Sequence, residues 1–363
     1  MSKPRYGSAS WNFLAIDVRT GETLYAFKAD QMAFTGSTRK LFSVGTALNG
    51  LGTDHREITP VYRTGSVDQN GSLSGDLILV AKGDLTFGGR RVNADTVEVT
   101  NLDHGDANTL AAAELTPQDP LFALDQLAAE VKASGITSVT GNVAIDSRFF
   151  TPYRVPNNKV LITPMTVNEN LVDVTITPTQ PGQPATVDYR PKSAAFTAES
   201  TVTTGAPGSE ETVKIAGDIV ECLGQPGCKG TISGSVPQDY KNSITGAPYM
   251  IKTFRVDEPD AFARTAFIEA LQRQGVTISA PAVAPNPASL LPADAKYGQD
   301  RQVASFTSPP FSQDAKLILK VSLDQGANLA LSLFGQLKGQ TTVEGALASE
   351  RKTLVDEYKI PGD

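Results

Sequence analysis

The order of helical and strand-like patterns along the chain is the feature that most constrains its fold. Near both ends, apolar residues recur at helical spacing, whereas a long central stretch, residues 172–243, consists of short apolar runs separated by Thr, Pro and Gly. The helical patterns cover residues 40–51, 260–274, 312–320, 328–337 and 342–358. A β-rich stretch between two helical regions predicts an insertion into a single domain.

A second inserted module is indicated between residues 81 and 170. A glycine-containing loop comes first, an amphipathic helix follows over residues 120–134, and a strand follows over residues 139–145. Since 363 residues exceed what one hydrophobic core usually serves, several domains are expected. We predict a multidomain α/β protein with four segments: residues 1–80, 81–170 (an α+β module), 171–244 (a β-rich module) and 245–363, the first and last forming one domain.

Composition argues against several classes of protein. A net charge of −7 disfavours nucleic-acid binding, which needs a concentrated basic surface. No apolar run approaches the roughly 18–20 residues that a membrane helix needs. Two histidines and two cysteines cannot supply a usual zinc site without carboxylates, and we interpret His104 with the nearby Asp84 as a solvated loop. We therefore predict no metal, cofactor, nucleic-acid partner or transmembrane segment, and lysine as the base of any covalent catalysis.

The two cysteines, Cys222 and Cys228, bracket a short loop. Gly224, Pro226 and Gly227 suit a tight turn whose ends meet, so a disulfide is predicted, with free thiols in a cytosolic turn as the alternative. A disulfide would indicate an oxidising compartment. The first ten residues contain no apolar signal core, so a signal peptide, if the protein is exported, is absent from this sequence.

Ser37 and Lys40 form an S-x-x-K motif at the predicted start of the first helix. Residues three apart lie on one helix face, where a neutral lysine can take the proton of a serine nucleophile. The alternative is a helix-capping serine beside a solvated lysine. A second S-x-x-K motif, Ser349 and Lys352, falls in the middle of a charged helical stretch, and we interpret it as accidental.

Together with a predicted hairpin over residues 11–27, the Ser37 motif resembles the penicillin-binding proteins. It is most similar to the low-molecular-mass, class C family of D-alanyl-D-alanine carboxypeptidase/endopeptidases, which carries two inserted modules. Further segments resemble that family in order along the chain: residues 75–84, 141–150, 164–170, 257–275 and 309–335. The similarity therefore spans nearly the whole sequence.

The resemblance implies acyl transfer on peptidoglycan stem peptides outside the cytoplasm, in the periplasm or at the cell wall. Ser37 would attack the D-Ala–D-Ala carbonyl, Lys40 would take its proton, and Ser322 would return a proton to the leaving amine. β-Lactams would acylate the same serine and act as inhibitors.

Two departures from the family pattern affect this expectation. Ser322 matches the serine of the family's S-x-N box, but Asp324 stands at the substrate-binding asparagine position, where a carboxylate cannot donate a hydrogen bond and would favour a charged Lys40. The alternative is that both residues only cap linked helices. The family's third box, K-T-G, does not follow Ser322, and Arg63-Thr64-Gly65 comes too early to replace it.

We therefore expect a family member truncated at its C-terminus, with an incomplete catalytic domain and impaired acylation. The alternatives are a non-catalytic cell-wall-binding protein of the same fold and, less favoured, a β-lactamase or esterase.

Overall fold

The computed structural model describes residues 3–156 and 160–361, and within it the chain forms two units that meet in sequence between Arg39 and Lys40. The first unit contains the predicted hairpin, in which β1 (Phe13–Ile16) pairs antiparallel with β2 (Thr23–Phe27). The carboxylate of Asp17 accepts hydrogen bonds from the backbone N–H groups of Arg19 and Thr20, at 2.8 and 3.2 Å. This acidic turn closes the hairpin.

Six helices in the described part of the second unit begin and end close to the predicted positions, and one short helix, Ala107–Leu110, was not predicted. In chain order these helices are α1 (Lys40–Leu51), α2 (Ala107–Leu110), α3 (Phe122–Ala133), α4 (Pro259–Arg273), α5 (Phe311–Val321), α6 (Asp324–Leu337) and α7 (Val343–Asp356). The largest difference is α6, which begins four residues before the predicted start at residue 328. The first turn of α6 contains Asp324, whose negative charge is favourable at a helix N-terminus. The apolar pattern did not include this polar first turn, so it predicted a later start.

The strands of the second unit are short. They are β3 (Ile58–Arg63), β4 (Ser66–Val67), β5 (Ser72–Ser74), β6 (Leu77–Val80), β7 (Arg91–Asn93), β8 (Thr96–Val97), β9 (Ser138–Val139), β10 (Val143–Asp146), β11 (Tyr153–Arg154), β12 (Leu161–Ile162), β13 (Leu171–Thr177), β14 (Thr186–Arg190), β15 (Thr197–Ser200), β16 (Thr203–Gly205), β17 (Lys214–Ala216), β18 (Ile219–Val220), β19 (Lys229–Ser233), β20 (Ser235–Pro237), β21 (Met250–Val256), β22 (Thr277–Ile278) and β23 (Gln302–Thr307).

A four-stranded mixed sheet in the order β10-β6-β3-β23 lies at the centre of this unit. Strand β6 pairs parallel with β10 and antiparallel with β3, and all four of its residues are buried, as expected of a strand covered on both faces. Because the four strands come from three of the predicted segments, the sheet joins parts of the chain that are far apart in sequence. The predicted segment boundaries remain predictions.

The stretch over residues 172–243 is built of strands and turns, as its composition predicts. In β13 the side chains of Val172, Val174 and Ile176 alternate into the core, and this strand lies between β14 and β21. The predicted disulfide joins Cys222 to Cys228, with an S–S distance of 2.08 Å.

Helices α1, α5 and α6 pack together through a core that includes Val44, Leu317, Ile318, Ala330 and Phe334. This packing brings the start of α1 to the junction between α5 and α6, although nearly three hundred residues separate them in sequence. No helix in the described ranges combines the length and apolar character needed to cross a membrane.

Helix α4 is held to the central sheet by Arg264, whose side chain is fully buried. Its guanidinium donates to the backbone oxygens of Val143, Ala282 and Pro281 and to Asn142 Oδ1, at 2.6–3.1 Å. The planar fork of arginine can meet four acceptors at once, which a lysine ammonium cannot do.

We expect Arg264→Lys to lower the free energy of unfolding by about 3 kcal/mol, because buried acceptors lose their donors. Urea unfolding at neutral pH measures the change. Arg273→Lys, on the same helix but half exposed beside Asp125, is the matched control and should change stability by less than about 1 kcal/mol. Equal losses in the two variants would contradict this role of Arg264.

Candidate active site

Lys40 meets Ser322 and Asp324 at the start of α1. The Lys40 side chain is 9% exposed, and its Nζ atom lies 2.5 Å from Asp324 Oδ1 and donates a hydrogen bond of 3.1 Å to Ser322 Oγ. The structure thus brings together three of the residues that the sequence singled out. Asp324 is 42% exposed, so water reaches the outer side of this ion pair.

The junction between α5 and α6 places Ser322 and Asp324 on the same lysine. Ser322 adopts left-handed backbone angles, φ 61° and ψ 36°, and ends α5. The next residue, Leu323, is extended and donates its N–H to the oxygen of Ile318 at 3.1 Å, after which α6 begins at Asp324. A left-handed serine costs about 1 kcal/mol, and such strain is most often kept at functional sites.

Ser37 lies in a short 3₁₀ turn, Gly36–Arg39, and not in the first turn of an α-helix as predicted. The turn is closed by the Thr38 hydroxyl, which donates to the oxygen of Thr35 at 2.5 Å. Ser37 belongs to the first unit, and Lys40 is the first residue of α1 in the second. The two residues are therefore linked here only by their spacing of three positions in the sequence. The second S-x-x-K motif lies within α7, as predicted.

A cleft that opens to solvent lies beside Asp324. Its charged lining is mixed and consists of Asp106, Arg154, Glu169, Arg255, Asp257 and Asp324. Burial, followed by the charges of Asp103 and Asp324, raises the pKa of Asp106. Sequence reasoning missed Asp106, Arg154, Arg255 and Asp257 because they come from separate segments and share no motif.

A cluster of buried charges lies beneath this cleft. His104 Nδ1 is 2.7 Å from Asp173 Oδ1, and His104 Nε2 is 3.2 Å from Glu169 Oε2. Arg90 binds both Asp103 and Glu169. Arg190, at the edge of the cluster, reaches Asp173 at 3.1 Å. Three cationic side chains therefore face three carboxylates, and we call these six residues the charge cluster: Arg90, Asp103, His104, Glu169, Asp173 and Arg190.

The pKa values within the charge cluster follow from this pairing. Burial alone would lower the pKa of His104, but the charges of Asp173, Glu169 and Asp103 outweigh it and raise that pKa to about 10. Burial would likewise raise the pKa of Glu169, but Arg90 and His104 hold it below its usual range. His104 is therefore an imidazolium at neutral pH.

The interpretation of His104 as part of a solvated loop is wrong. His104 is buried, and the groups around it that could act as metal ligands are Asp103 and Glu169, not Asp84. Both of those carboxylates already bind the guanidinium of Arg90. Asp84 instead caps its own turn through the N–H groups of Thr86 and Phe87, and burial raises its pKa to about 7.

Glu169 is held in a strained turn, Asn168–Asn170. All three residues have positive φ angles, between 51° and 58°, which non-glycine residues rarely adopt. The side-chain amides of Asn168 and Asn170 hold the turn by donating to the oxygens of Leu171 and Met165, at 2.9 and 3.0 Å. Glu169 and Asn170 line the cleft, so the strained backbone of this turn forms part of the cleft wall.

Comparison with solved structures places the fold among the penicillin-binding proteins. The structure of penicillin binding protein 4 from Haemophilus influenzae matches with a TM-score of 0.67 and 16% identity, over 96% of this chain and 67% of that one. The same protein complexed with a β-lactam matches with a TM-score of 0.63 and 17% identity, over 96% and 66%. This likeness confirms the predicted class of fold.

The model of the D-Ala-D-Ala carboxypeptidase 3 (S13) family matches residues 1–360, and the chain belongs to that family. A D-alanyl-D-alanine carboxypeptidase from Actinomadura sp. (strain R39) is 28% identical over 377 aligned residues, which cover 98% of this chain. The chain spans 59% of the length of that curated relative. The predicted family is therefore confirmed.

We expect Glu169→Gln to lower the free energy of unfolding at pH 7 by about 3–5 kcal/mol, because Arg90 and His104 each lose a buried partner. Since the folded-state pKa of Glu169 is lowered, its contribution is present above its ordinary pKa of 4.5 and is lost as the pH falls through the lowered value. The difference between wild type and variant should therefore shrink below pH 4.5. Urea unfolding across pH measures it.

Glu199→Gln is the matched control, because Glu199 and its partner Lys229 are both about half exposed. This variant should change stability by less than about 1 kcal/mol, with no comparable dependence on acid. A constant difference between wild type and Glu169→Gln across that range would contradict the assignment.

Proposed function

We propose that this chain is a serine-type D-Ala-D-Ala carboxypeptidase or endopeptidase that acts on peptidoglycan stem peptides and binds penicillin. The observation that carries the proposal is the 3.1 Å hydrogen bond between Lys40 Nζ and Ser322 Oγ, in a chain of the S13 family. This contact supports the assignment of Lys40 and Ser322, which are far apart in sequence, as a pair that transfers a proton.

In the proposed reaction Ser37 Oγ attacks the carbonyl carbon between the two D-alanines. Lys40 takes the hydroxyl proton, which passes through Ser322 to the nitrogen of the departing D-alanine as the C–N bond breaks. Water then hydrolyses the ester on Ser37. The role of Ser37 rests on its motif and on the family, whereas the contact between Lys40 and Ser322 supports the proton route.

Asp324 opposes this reaction, but only modestly. Its carboxylate can accept a hydrogen bond from a substrate N–H group but cannot donate one to a substrate carbonyl, as an asparagine could. It also forms an ion pair with Lys40 Nζ at 2.5 Å, so the lysine is engaged by a carboxylate as well as by Ser322. Asp324 therefore weakens substrate binding and competes for the lysine that acts as the base.

We also propose that the protein acts outside the cytoplasm, in the periplasm or at the cell wall. The disulfide between Cys222 and Cys228 supports an oxidising compartment, where such bonds persist. Peptidoglycan, the proposed substrate, lies in the same compartment.

Fluorescent penicillin should label the purified protein slowly, and the label should be absent from Ser37→Ala and Lys40→Arg. An alanine lacks the nucleophile, and an arginine stays charged and cannot act as the base. Labelling is followed over time by gel fluorescence, with circular dichroism to confirm folding. Ser349→Ala and Lys352→Arg, from the second S-x-x-K motif, are matched controls that should label like wild type.

The same experiment separates the alternatives. Labelling that survives in Ser37→Ala would contradict the assignment of the nucleophile. No labelling of the folded wild-type protein would favour a non-catalytic wall-binding protein of the same fold, and rapid release of hydrolysed penicillin would favour a β-lactamase.

We expect Asp324→Asn to raise the acylation rate constant by no more than about fivefold. The pair with Lys40 is open to water on one side, so its contribution stays near 1 kcal/mol, which corresponds to about fivefold in rate. Time courses of penicillin labelling measure the change. Asp356→Asn, which removes an exposed carboxylate beside Lys352, is the control and should have no effect. A lower rate in Asp324→Asn would show that the carboxylate assists the reaction.

A further inference from the structure

His104 connects three segments that border the cleft. Through Nδ1 it is hydrogen-bonded to Asp173 in β13, and its Nε2 lies at ion-pair distance, 3.2 Å, from Glu169 in the left-handed turn without a hydrogen bond to it. Its own backbone belongs to a short 3₁₀ turn, His104–Asp106, whose last two residues line the cleft. One buried side chain therefore holds two walls of the cleft together.

The turn that contains His104 lies beside the junction that carries Ser322 and Asp324. Gly105 and Asp106 line the same cleft as Leu323 and Asp324. A Cβ atom built on Gly105 would be 3.7 Å from Leu323 Cδ1, an ordinary van der Waals distance. Leu323 is buried and stands between Ser322 and Asp324 in sequence. A shift of the turn would therefore move the residue that joins the two partners of Lys40.

We propose that His104 is a positioning residue: held between Asp173 and Glu169, it keeps the turn at Gly105 beside Leu323 and so holds Ser322 and Asp324 at Lys40. If the proposed function holds, the proton route depends on a side chain that touches neither the substrate nor Lys40. Only this catalytic consequence rests on the proposed function.

The balance of charge explains why a cation is needed at this position. With His104 charged, three cationic groups match three carboxylates. A neutral residue would leave three carboxylates, Asp103, Glu169 and Asp173, with only two cations, Arg90 and Arg190, so one buried negative charge would be uncompensated. The strained turn at Glu169 and the turn at Gly105 would then lose the charged side chain that links them.

The electrostatics of Asp106 agree with a close approach of this turn to the site. Asp324 contributes to the raised pKa of Asp106, and Lys40 acts on it in the opposite direction. Asp106 and Asp324 also line the same cleft, so the turn ends near the ion pair, which is the geometry that His104 is inferred to maintain.

The test compares His104→Gln, which is neutral and of similar size, with His55→Gln as the matched control. His55 is the other histidine of the chain and pairs with Glu57 at a partly exposed position. The first measurement is amide hydrogen exchange of the wild-type and variant chains by NMR, without substrate. The reporter is the N–H of Leu323, whose bond to the Ile318 oxygen closes the Ser322 turn.

We expect His104→Gln to speed exchange at Leu323 by at least about tenfold. The N–H of Lys338, at the opposite end of α6, should change by less than about twofold. His55→Gln should change neither. Equal acceleration at Leu323 and Lys338 would mean general destabilisation and would overturn the proposal, as would unchanged exchange at Leu323. If His104→Gln does not fold, Asp173→Asn removes the partner of His104 Nδ1 instead, and the same two amides decide.

The second measurement is the penicillin acylation rate constant of the folded fraction, which we expect to fall about tenfold or more in His104→Gln, since small displacements at a reacting centre are costly. An unchanged rate constant with a smaller labelled fraction would assign His104 to stability alone. If wild type is not labelled, the proposed function fails and the exchange measurement still decides the role of His104.

Discussion

The pairing of buried charges beneath the cleft is the constraint on which the rest of the site depends. A buried ion loses several kcal/mol of hydration, so Arg90, His104, Glu169 and Asp173 can occupy the interior only together. Meeting that condition fixes the distances between the turn at residues 103–106, the left-handed turn at Asn168–Asn170 and strand β13. The walls of the cleft are therefore set by charge matching as well as by apolar packing.

A second constraint acts at Lys40. The apolar packing of α1 on α5 and α6 brings the lysine to the place where the chain reverses through the left-handed Ser322. The resulting hydrogen bond between Lys40 Nζ and Ser322 Oγ is short enough for proton transfer, while Asp324 binds the same nitrogen as an ion pair. Lys40 is therefore shared between a hydroxyl and a carboxylate, and the acyl transfer proposed for this chain uses its contact with the hydroxyl.

Much of the fold could be predicted because local patterns and tertiary packing agree. The hairpin closed by Asp17, the helix at Pro259–Arg273 and the strands of the β-rich stretch all lie where apolar spacing and turn residues indicate. Prediction was less accurate where polar residues enter a helix, as at the start of α6. It was wrong for His104, because a histidine between two aspartates in a polar stretch has the local pattern of a solvated loop, and its partner Asp173 lies 69 residues away.

The sequence by itself determined the helices, the β-rich stretch, the disulfide and, through resemblance, the family, since each depends on residues that are neighbours in the chain or follow in a set order. Only the tertiary structure decided which side chains share the cleft. It joined Lys40 to Ser322 across 282 residues and placed His104 under Glu169. The physical reason is that the free energy of a buried charge depends on which distant charges packing brings within reach, and no local pattern encodes that distance.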